Sequence, residues 1–508
     1  MDLILVEAHA QAVLTATSRF GRPVDWVSIA GLANEGDPQW ATRPEKMRLT
    51  SRAFDLLQRL GWIGNAPGTP LYEVTDAGRE VLNSGWPERL DADWLNEWVE
   101  TQELHELLDA QLATSVNTIR EMTVRNWRQF AAVDIVFHPK LTVLTGANGA
   151  GKTTLLNLLG PHFNWPGQLL LRQTRKDEST RAVEVGRVTY SNGGQTPLVQ
   201  HPGTGIRNAP LELVQAQQVP GLFINSHRSI SSYQPLAALP PRFSEWEPLQ
   251  QHFAAEIQVR YSGGSSQHSP LYRMKEALVA AAMYAYGNQA VRASESAKEV
   301  WEGYQAVLGR FLPPALEFER LAVEESEIIL VTRSTEFPLE AVSGGISAML
   351  ELSWQIFLRQ RNQQAFTVCI DEPENHLHPE LQRTIVPSLL SGFPDVTFIV
   401  ATHSPLVVTA VPDAFVYALE PGEDGGVRSR RVENINSSAT SDETLMSVLG
   451  LDTALPLWAE SRLSQLMSEL GASPSTGELR EFRDQLRALG LDRQFPHAVR
   501  SLEPKEER

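Results

Sequence analysis

Leu141-Thr142-Val143-Leu144-Thr145-Gly146-Ala147-Asn148-Gly149-Ala150-Gly151-Lys152-Thr153-Thr154 decides how the chain is read. An apolar, β-branched run ends at Gly146, and an apolar helical pattern starts at Gly151. Gly146 to Thr153 between them has the spacing G-x-x-x-x-G-K-[ST]. Each residue type there has a physical task. Glycines let successive backbone N–H groups curl around phosphate oxygens, and the helix N-terminus adds its positive end. A lysine at position 152 reaches the β- and γ-phosphates, and the Thr153 hydroxyl is a ligand for Mg²⁺. Gly146, Asn148, Gly149, Gly151, Lys152, Thr153 and Thr154 are therefore the candidate residues of a site for ATP with Mg²⁺.

Two more strands are expected to end beside this loop. Phe366-Thr367-Val368-Cys369-Ile370 is continuously apolar, as a strand buried on both faces must be, and it delivers Asp371-Glu372. Asp371 is placed to hold the Mg²⁺ shell together with Thr153. Glu372 is placed to polarise an attacking water as general base. Val396-Thr397-Phe398-Ile399-Val400-Ala401-Thr402 is a further parallel-type strand, delivering His403-Ser404-Pro405 to the edge where ligands of open α/β sheets sit. His403 is the candidate sensor of the γ-phosphate.

The chain has 508 residues, too many for one core. Residues 1–85 show three helical stretches, a Gly/Pro turn, a short strand and a closing helix begun by Thr75, the order of a winged helix. Arg43, Lys46, Arg48, Arg52 and Arg59 lie on or before its third helix. Two uses stay open for this unit, DNA contact through residues 43–59 or contact with protein alone. Residues 86–118 read as a linker helix, acidic on its solvated face. Residues 421–508 read as a helical segment, with patterns at Leu445–Leu449, Leu457–Leu470 and Glu478–Leu489, and Arg428, Arg430 and Arg431 read as a solvated hairpin end.

Composition limits the partners. Lys plus Arg is 44 and Asp plus Glu is 61, a formal charge of −17. That balance disfavours a protein that coats nucleic acid, which needs a dominant positive field. The single cysteine, Cys369, excludes an intrachain disulfide framework and a multi-cysteine zinc site. With no basic, apolar leader after Met1 and no membrane-length apolar run, the expectation is a cytoplasmic protein.

Taken together, residues 119–420 resemble the ABC-type ATPase head of the branch that includes RecF, SMC heads and OLD-family ATPases. Asn126-Trp127-Arg128-Gln129-Phe130 resembles the Asn-Phe-Arg-x-Phe passage of that branch. Ser343-Gly344-Gly345 resembles the ABC signature. Asp371-Glu372-Pro373-Glu374-Asn375-His376-Leu377-His378-Pro379 is similar to the OLD-like passage in which Asp-Glu-Pro-Glu is followed by Leu-His-Pro. Ala401-Thr402-His403-Ser404-Pro405 resembles the switch histidine. The fold class this implies is α/β: a P-loop NTPase head with a mainly parallel sheet plus an antiparallel subdomain, flanked by the N-terminal winged helix and C-terminal helices. The resemblance also implies that Ser343, Gly344 and Gly345 touch the γ-phosphate held by another subunit, so that two ATPs are sandwiched in a homodimer. Ile346 departs from the Gln or Glu usual after the signature glycines. The Gln of the Q-loop has no clear position, residues 225–228 being its candidate region.

The function implied is a Mg-dependent ATPase acting as a dimerisation switch in phage defence, as in systems such as Septu, or in DNA repair. It would control a separate effector such as a nuclease. The alternatives are an ATP-responsive DNA-binding regulator and an OLD-like nuclease component. Against the last, no Toprim-like acidic strand ends follow the head. Against a transporter ATPase, nothing points to a membrane partner.

Overall fold

The computed structural model describes residues 3–34, 44–66, 71–87, 90, 116–165, 182–201, 211–226, 233–236, 238–240, 242–264, 267–289, 291–360, 365–411, 413–422, 425–432, 462, 465–467, 469–470 and 476–488. The acidic linker pattern from residue 91 and the helical pattern at Leu445–Leu449 lie outside these residues. Contacts group residues 1–438 into one compact unit and 439–508 into a second.

The first unit begins with α1 (Leu3–Arg19), α2 (Trp26–Ala33), α3 (Pro44–Arg59), an antiparallel pair β1 (Ile63–Asn65) and β2 (Tyr72–Val74), and α4 (Asp76–Ser84). Side chains cap the starts of two of these helices. Asp25 accepts from Ser28 N before α2, and Thr75 accepts from Gly78 N before α4. Val13, Leu14, Ile29, Phe54, Leu57 and Tyr72 close a core of their own. Each such side chain contributes about 1.5–3 kcal/mol on burial.

The remainder of this unit is built on an eleven-stranded sheet in the order β8-β7-β6-β3-β4-β16-β15-β5-β14-β13-β9. These strands are β3 (Ile119–Trp127), β4 (Phe130–Val136), β5 (Leu141–Gly146), β6 (Val183–Tyr190), β7 (Gln195–Gln200), β8 (Leu211–Leu213), β9 (Gly221–Ile224), β13 (Phe366–Asp371), β14 (Val396–Ala401), β15 (Phe415–Pro421) and β16 (Val427–Arg431). From β15 to β9 all neighbours are parallel, whereas β8, β7, β6, β3 and β4 form an antiparallel run. All six residues of β5 and of β13 are buried, which explains their unbroken apolar sequence. The Arg428–Arg431 segment is strand β16, paired with β15 as a hairpin and with β4 in parallel, so the sheet runs on past residue 420. Arg430 there pairs with Glu420, and Arg431 lies 4.0 Å over the Phe415 ring.

Beside the sheet stand α5 (Lys152–Leu159), α6 (Trp246–Tyr261), α7 (Pro270–Ala285) and α8 (Glu295–Phe311). A second sheet has the order β10-β11-β12, with β10 (Phe318–Glu324), β11 (Glu327–Thr332) and β12 (Glu336–Pro338). After it come α9 (Gly344–Gln360) and α10 (Pro379–Gly392). In the unit 439–508 the described helix is α11 (Thr476–Ala488), which buries Phe482 and Leu486.

The N-terminal helices lie against the antiparallel strands through a buried polar knot. Arg187 of β6 donates to Gln58 Oε1 (2.6 Å), to the Tyr72 hydroxyl (2.8 Å) and to Glu184 Oε1 (2.7 Å), while Tyr72 donates to Glu184 Oε2 (3.0 Å). Arg59 of α3 pairs with Asp55 and stands 3.8 Å from Asp134 of β4. Of the basic residues named on α3, Arg52 is buried, Lys46 is half-buried and Arg59 is turned to these carboxylates. Arg43 and the side chain of Arg48 lie outside the described set.

Candidate nucleotide site

Three neighbouring parallel strands bring the site together. β14 lies between β5 and β13, in registers that pair Asp371 with Ala401 and Ala401 with Leu144. The strands therefore end level, and the phosphate loop, the acidic pair and His403 emerge on one edge, as the topology of an open α/β sheet requires.

The phosphate loop is held open by its glycines. Gly146 has φ 141° and Gly151 has φ 101°, backbone that other residues rarely adopt. Space is short as well. A Cβ on Gly146 would stand 2.6 Å from Leu419 O, and one on Gly151 would stand 2.4 Å from the Phe130 ring and 2.5 Å from the Gln129 amide nitrogen. The Asn126 to Phe130 passage is thus the tip of the β3–β4 hairpin, folded against the loop. Lys152 is buried at the start of α5, and its Nζ donates to Gly146 O (2.9 Å) and Ala147 O (3.2 Å). Burial pulls its ammonium below the usual range, against the opposing pull of Glu372, Asp371 and Glu374. Ala147, Asn148 and Gly149 are exposed, so their backbone faces solvent where a phosphate would lie.

Thr153 Oγ1 meets both Asp371 oxygens, at 2.9 and 3.1 Å. One hydroxyl and one carboxylate suit a hard cation that takes its other ligands from phosphate and water, as Mg²⁺ does. No cluster of three or more His, Cys, Asp or Glu able to hold a metal occurs among the described residues. An ion with one protein carboxylate does not need one.

Glu372 follows in left-handed backbone, φ 48°, a strained conformation for a residue with a Cβ. Its N–H donates to Ala401 O (2.8 Å), and Asn375 Nδ2 donates to its Oε2 (2.9 Å). His403 Nδ1 stands 3.3 Å from Glu372 Oε1 and 3.7 Å from Glu374 Oε1.

Sequence reasoning assigned no role to Glu374, Asn375 or Thr402. Glu374 is buried and accepts from the Thr402 hydroxyl and from His403 N (3.3 Å), tying the loop after β13 to the end of β14. Burial raises its carboxyl above the usual range even though these hydrogen bonds pull the other way. A third acid, two residues after Glu372, was its signal in the sequence. Asn375 Nδ2 also donates to Ser226 O (3.0 Å), just past the end of β9, so the Q-loop candidate region reaches Glu372 through one side chain. The Leu377-His378-Pro379 passage is the start of α10, with His378 as N-cap and Pro379 at its first position.

Ser343 and Gly344 are exposed, and Gly344 opens the 17-residue helix α9. Buried Gly345 sits against Leu377 and Leu381. The signature segment is thereby packed on the motif that follows the acids, with its leading residues turned to solvent.

These features are those of a P-loop nucleotide site, and the chain is similar to known ATPases. Residues 205–409 match the family model described as "AAA domain, putative AbiEii toxin, Type IV TA system", and residues 121–160 match one described as "AAA domain". Over those residues the chain is similar to AAA-type ATPase domains. It is 28% identical over 165 residues to "Septu protein PtuA" of Bacillus thuringiensis, covering 30% of this chain and 42% of that protein. It is 57% identical over 44 residues to "Retron Vc95 probable ATPase" of Vibrio cholerae serotype O1 biovar El Tor, 9% of either chain. It is 23% identical over 329 residues to "OLD nuclease" of Thermus scotoductus (strain ATCC 700910 / SA-01), covering 57% of this chain and 59% of that one. The chain spans less than two thirds of the length of each of these curated relatives. Among solved structures, the "SMC head domain from Thermotoga maritima" matches 62% of this chain and 99% of its own, at 13% identity and a TM-score of 0.35. At that score the fold rests on the strand order itself.

Proposed function

We propose that the protein is a Mg²⁺-dependent ATPase whose heads close in pairs around ATP, and that it serves phage defence by controlling a separate effector such as a nuclease. The observation that carries this reading is the convergence of Lys152, Thr153, Asp371, Glu372 and His403 on one sheet edge. In it, Lys152 and the amides of Gly146 to Thr153 hold the phosphates, while Thr153 and Asp371 hold Mg²⁺. The metal supplies charge neutralisation at the phosphates. Glu372, oriented by Asn375, takes the proton of the attacking water, and His403 faces the γ-phosphate. Ser343 and Gly345 meet the γ-phosphate of a second copy, for which the exposure of Ser343 and Gly344 at the start of α9 is the supporting feature, Gly345 itself being buried.

The link to defence is supported by the Septu, retron and OLD names of the relatives. The N-terminal helices and strand pair act as a winged helix that docks protein, since Arg52 and Arg59 are turned inward. No helix among the described residues is long and apolar enough to cross a membrane.

The test pairs ATPase rate with chain mass at and without saturating ATP and Mg²⁺. The reading expects Mg²⁺-dependent turnover and an ATP-dependent doubling of mass in Glu372→Gln, which binds without hydrolysing. Turnover without Mg²⁺, or a monomer at all ATP concentrations, refutes it. Capture of a nuclease by the ATP-locked variant, and its release from the nucleotide-free chain, tests the effector arm.

A further inference from the structure

Lys275 lies on α7 and is fully buried, and Leu271, Leu278 and Val279 of the same helix are buried too. A buried lysine survives only if its protons are all engaged and its charge is balanced. Both conditions hold here. Nζ donates to Gln234 O (2.6 Å), to Glu327 Oε2 (2.8 Å) and, at closer range, to Glu340 Oε1. The Tyr233 ring adds a face 5.2 Å away, and its hydroxyl donates to Glu327 Oε1 (3.2 Å). Burial alone would lower this ammonium, but the two carboxylates outweigh it and hold its pKa above the usual range.

The three acceptors come from three different places. Glu327 belongs to β11. Glu340 is in the short turn Leu339–Ala341, three residues before Ser343; its side chain is only 5% exposed, and its Oε2 lacks a hydrogen-bond partner. Gln234 belongs to the connection leaving β9, whose near end, Ser226, is hydrogen-bonded to Asn375 and through it to Glu372. One ammonium therefore grips both the turn that launches the signature helix and the chain that departs from the catalytic edge.

We propose that Lys275 is the positioning residue of the signature segment: it fixes Ser343 and Gly344 for the γ-phosphate of the second subunit and registers them to the loop beside Glu372. This deepens the two-headed reading above and rests on it. Lys275 touches no substrate. Its removal therefore spoils the half-site that a head presents to its partner and spares the half-site that binds its own nucleotide.

That division makes the test. Lys275→Met keeps the length and apolar stem of the side chain. It should bind a fluorescent ATP analogue within about 2-fold of the parent yet hydrolyse ATP at least ~10-fold more slowly. Glu340→Gln, which keeps the shape of the turn and loses its charge, should show the same split more weakly. Lys152→Ala fails in the opposite half-site. Mixing it with Lys275→Met creates pairs with one intact phosphate loop facing one intact signature, and should restore a rate at least ~5-fold above either variant alone. Generally weakened folding would not be rescued in this way. Parent-like turnover by both Lys275→Met and Glu340→Gln, or mixtures of each with Lys152→Ala no faster than their parents, overturns the assignment. Ser343→Arg mixed with Lys152→Ala is the control. If that mixture alone recovers, Lys275 is wrong and the two-headed reading stands. If it too stays inactive, the two-headed reading falls and the role of Lys275 falls with it.

Discussion

Thr153 Oγ1 stands 2.9 Å from Asp371 Oδ2, although 218 residues separate the two positions in the chain. The contact joins the first turn of α5 to the last residue of β13, with β14 between the two strands. It defines the point toward which the rest of the site is directed.

Glu372 is held by a backbone bond to Ala401 and a side-chain bond from Asn375. Glu372→Gln keeps an oxygen and the shape but loses the base. Turnover should fall by about 10²–10⁴, the usual worth of a positioned general base, with ATP affinity unchanged. Single-turnover hydrolysis beside equilibrium nucleotide binding measures the two separately.

Gly151→Ala tests the loop. The new methyl would meet the Phe130 ring at 2.4 Å in backbone at φ 101°. Strain of this kind costs about 1–3 kcal/mol, or roughly 5- to 150-fold in nucleotide affinity if relief requires the loop to leave its phosphate-binding shape. Titration calorimetry with a slowly hydrolysed analogue should find that loss, while Ala150→Gly, beside it, should bind within about 2-fold of the parent.

Arg187 tests the attachment of the N-terminal helices. Arg187→Met takes away the guanidinium that Glu184, Tyr72 and Gln58 share. Breaking a buried pair from one side costs about 3–5 kcal/mol, and Arg187→Met with Glu184→Gln should cost less than Arg187→Met alone. Denaturant titration of the three proteins gives the comparison. A loss in the double variant equal to the sum of the Arg187→Met and Glu184→Gln losses would mean that the pair carries no coupling.

Glu121, on β3 at the same junction, has its carboxyl pushed up to about 7, first by burial and then by Asp55 and Asp134, with Arg59 and Arg125 opposing. Below the ordinary carboxylate range both the folded and unfolded chains hold this proton. Between that range and about pH 7 the folded chain keeps a proton that the unfolded chain has released, so stability from this group falls as pH rises through the window. Glu121→Gln removes the loss. It should raise the thermal midpoint more at about pH 8 than at about pH 5, and an equal effect at the two pH values would show that Glu121 ionises normally in the fold.

Much of the site was legible because its chemistry is local. The loop from Gly146 to Thr153 needs glycines, a lysine and a threonine in fixed order, and a doubly buried strand ending in acids needs an unbroken apolar run. Adjacent residues set those requirements, so a linear reading finds them. The sequence could likewise mark Thr75 and Asp25 as helix starts, since a cap acts over three residues. Which strand lies beside which is another matter. That β14 inserts between β5 and β13, so that His403 faces Glu372, follows from pairing across more than two hundred residues. The side of α3 that meets the sheet depends on Arg187, Glu184 and Asp134, all far along the chain, so the turning of Arg59 toward Asp134 is set by the sheet and not by the helix. Lys275 shows the limit most sharply. In sequence it is one of two cations on a mostly apolar helix, and only the fold supplies Glu327, Glu340 and the Gln234 carbonyl around it. The amino-acid sequence alone determined the phosphate-loop pattern. Tertiary packing alone decided the partners of its buried charges, because a charge is stabilised by what surrounds it in space and not by its neighbours along the chain.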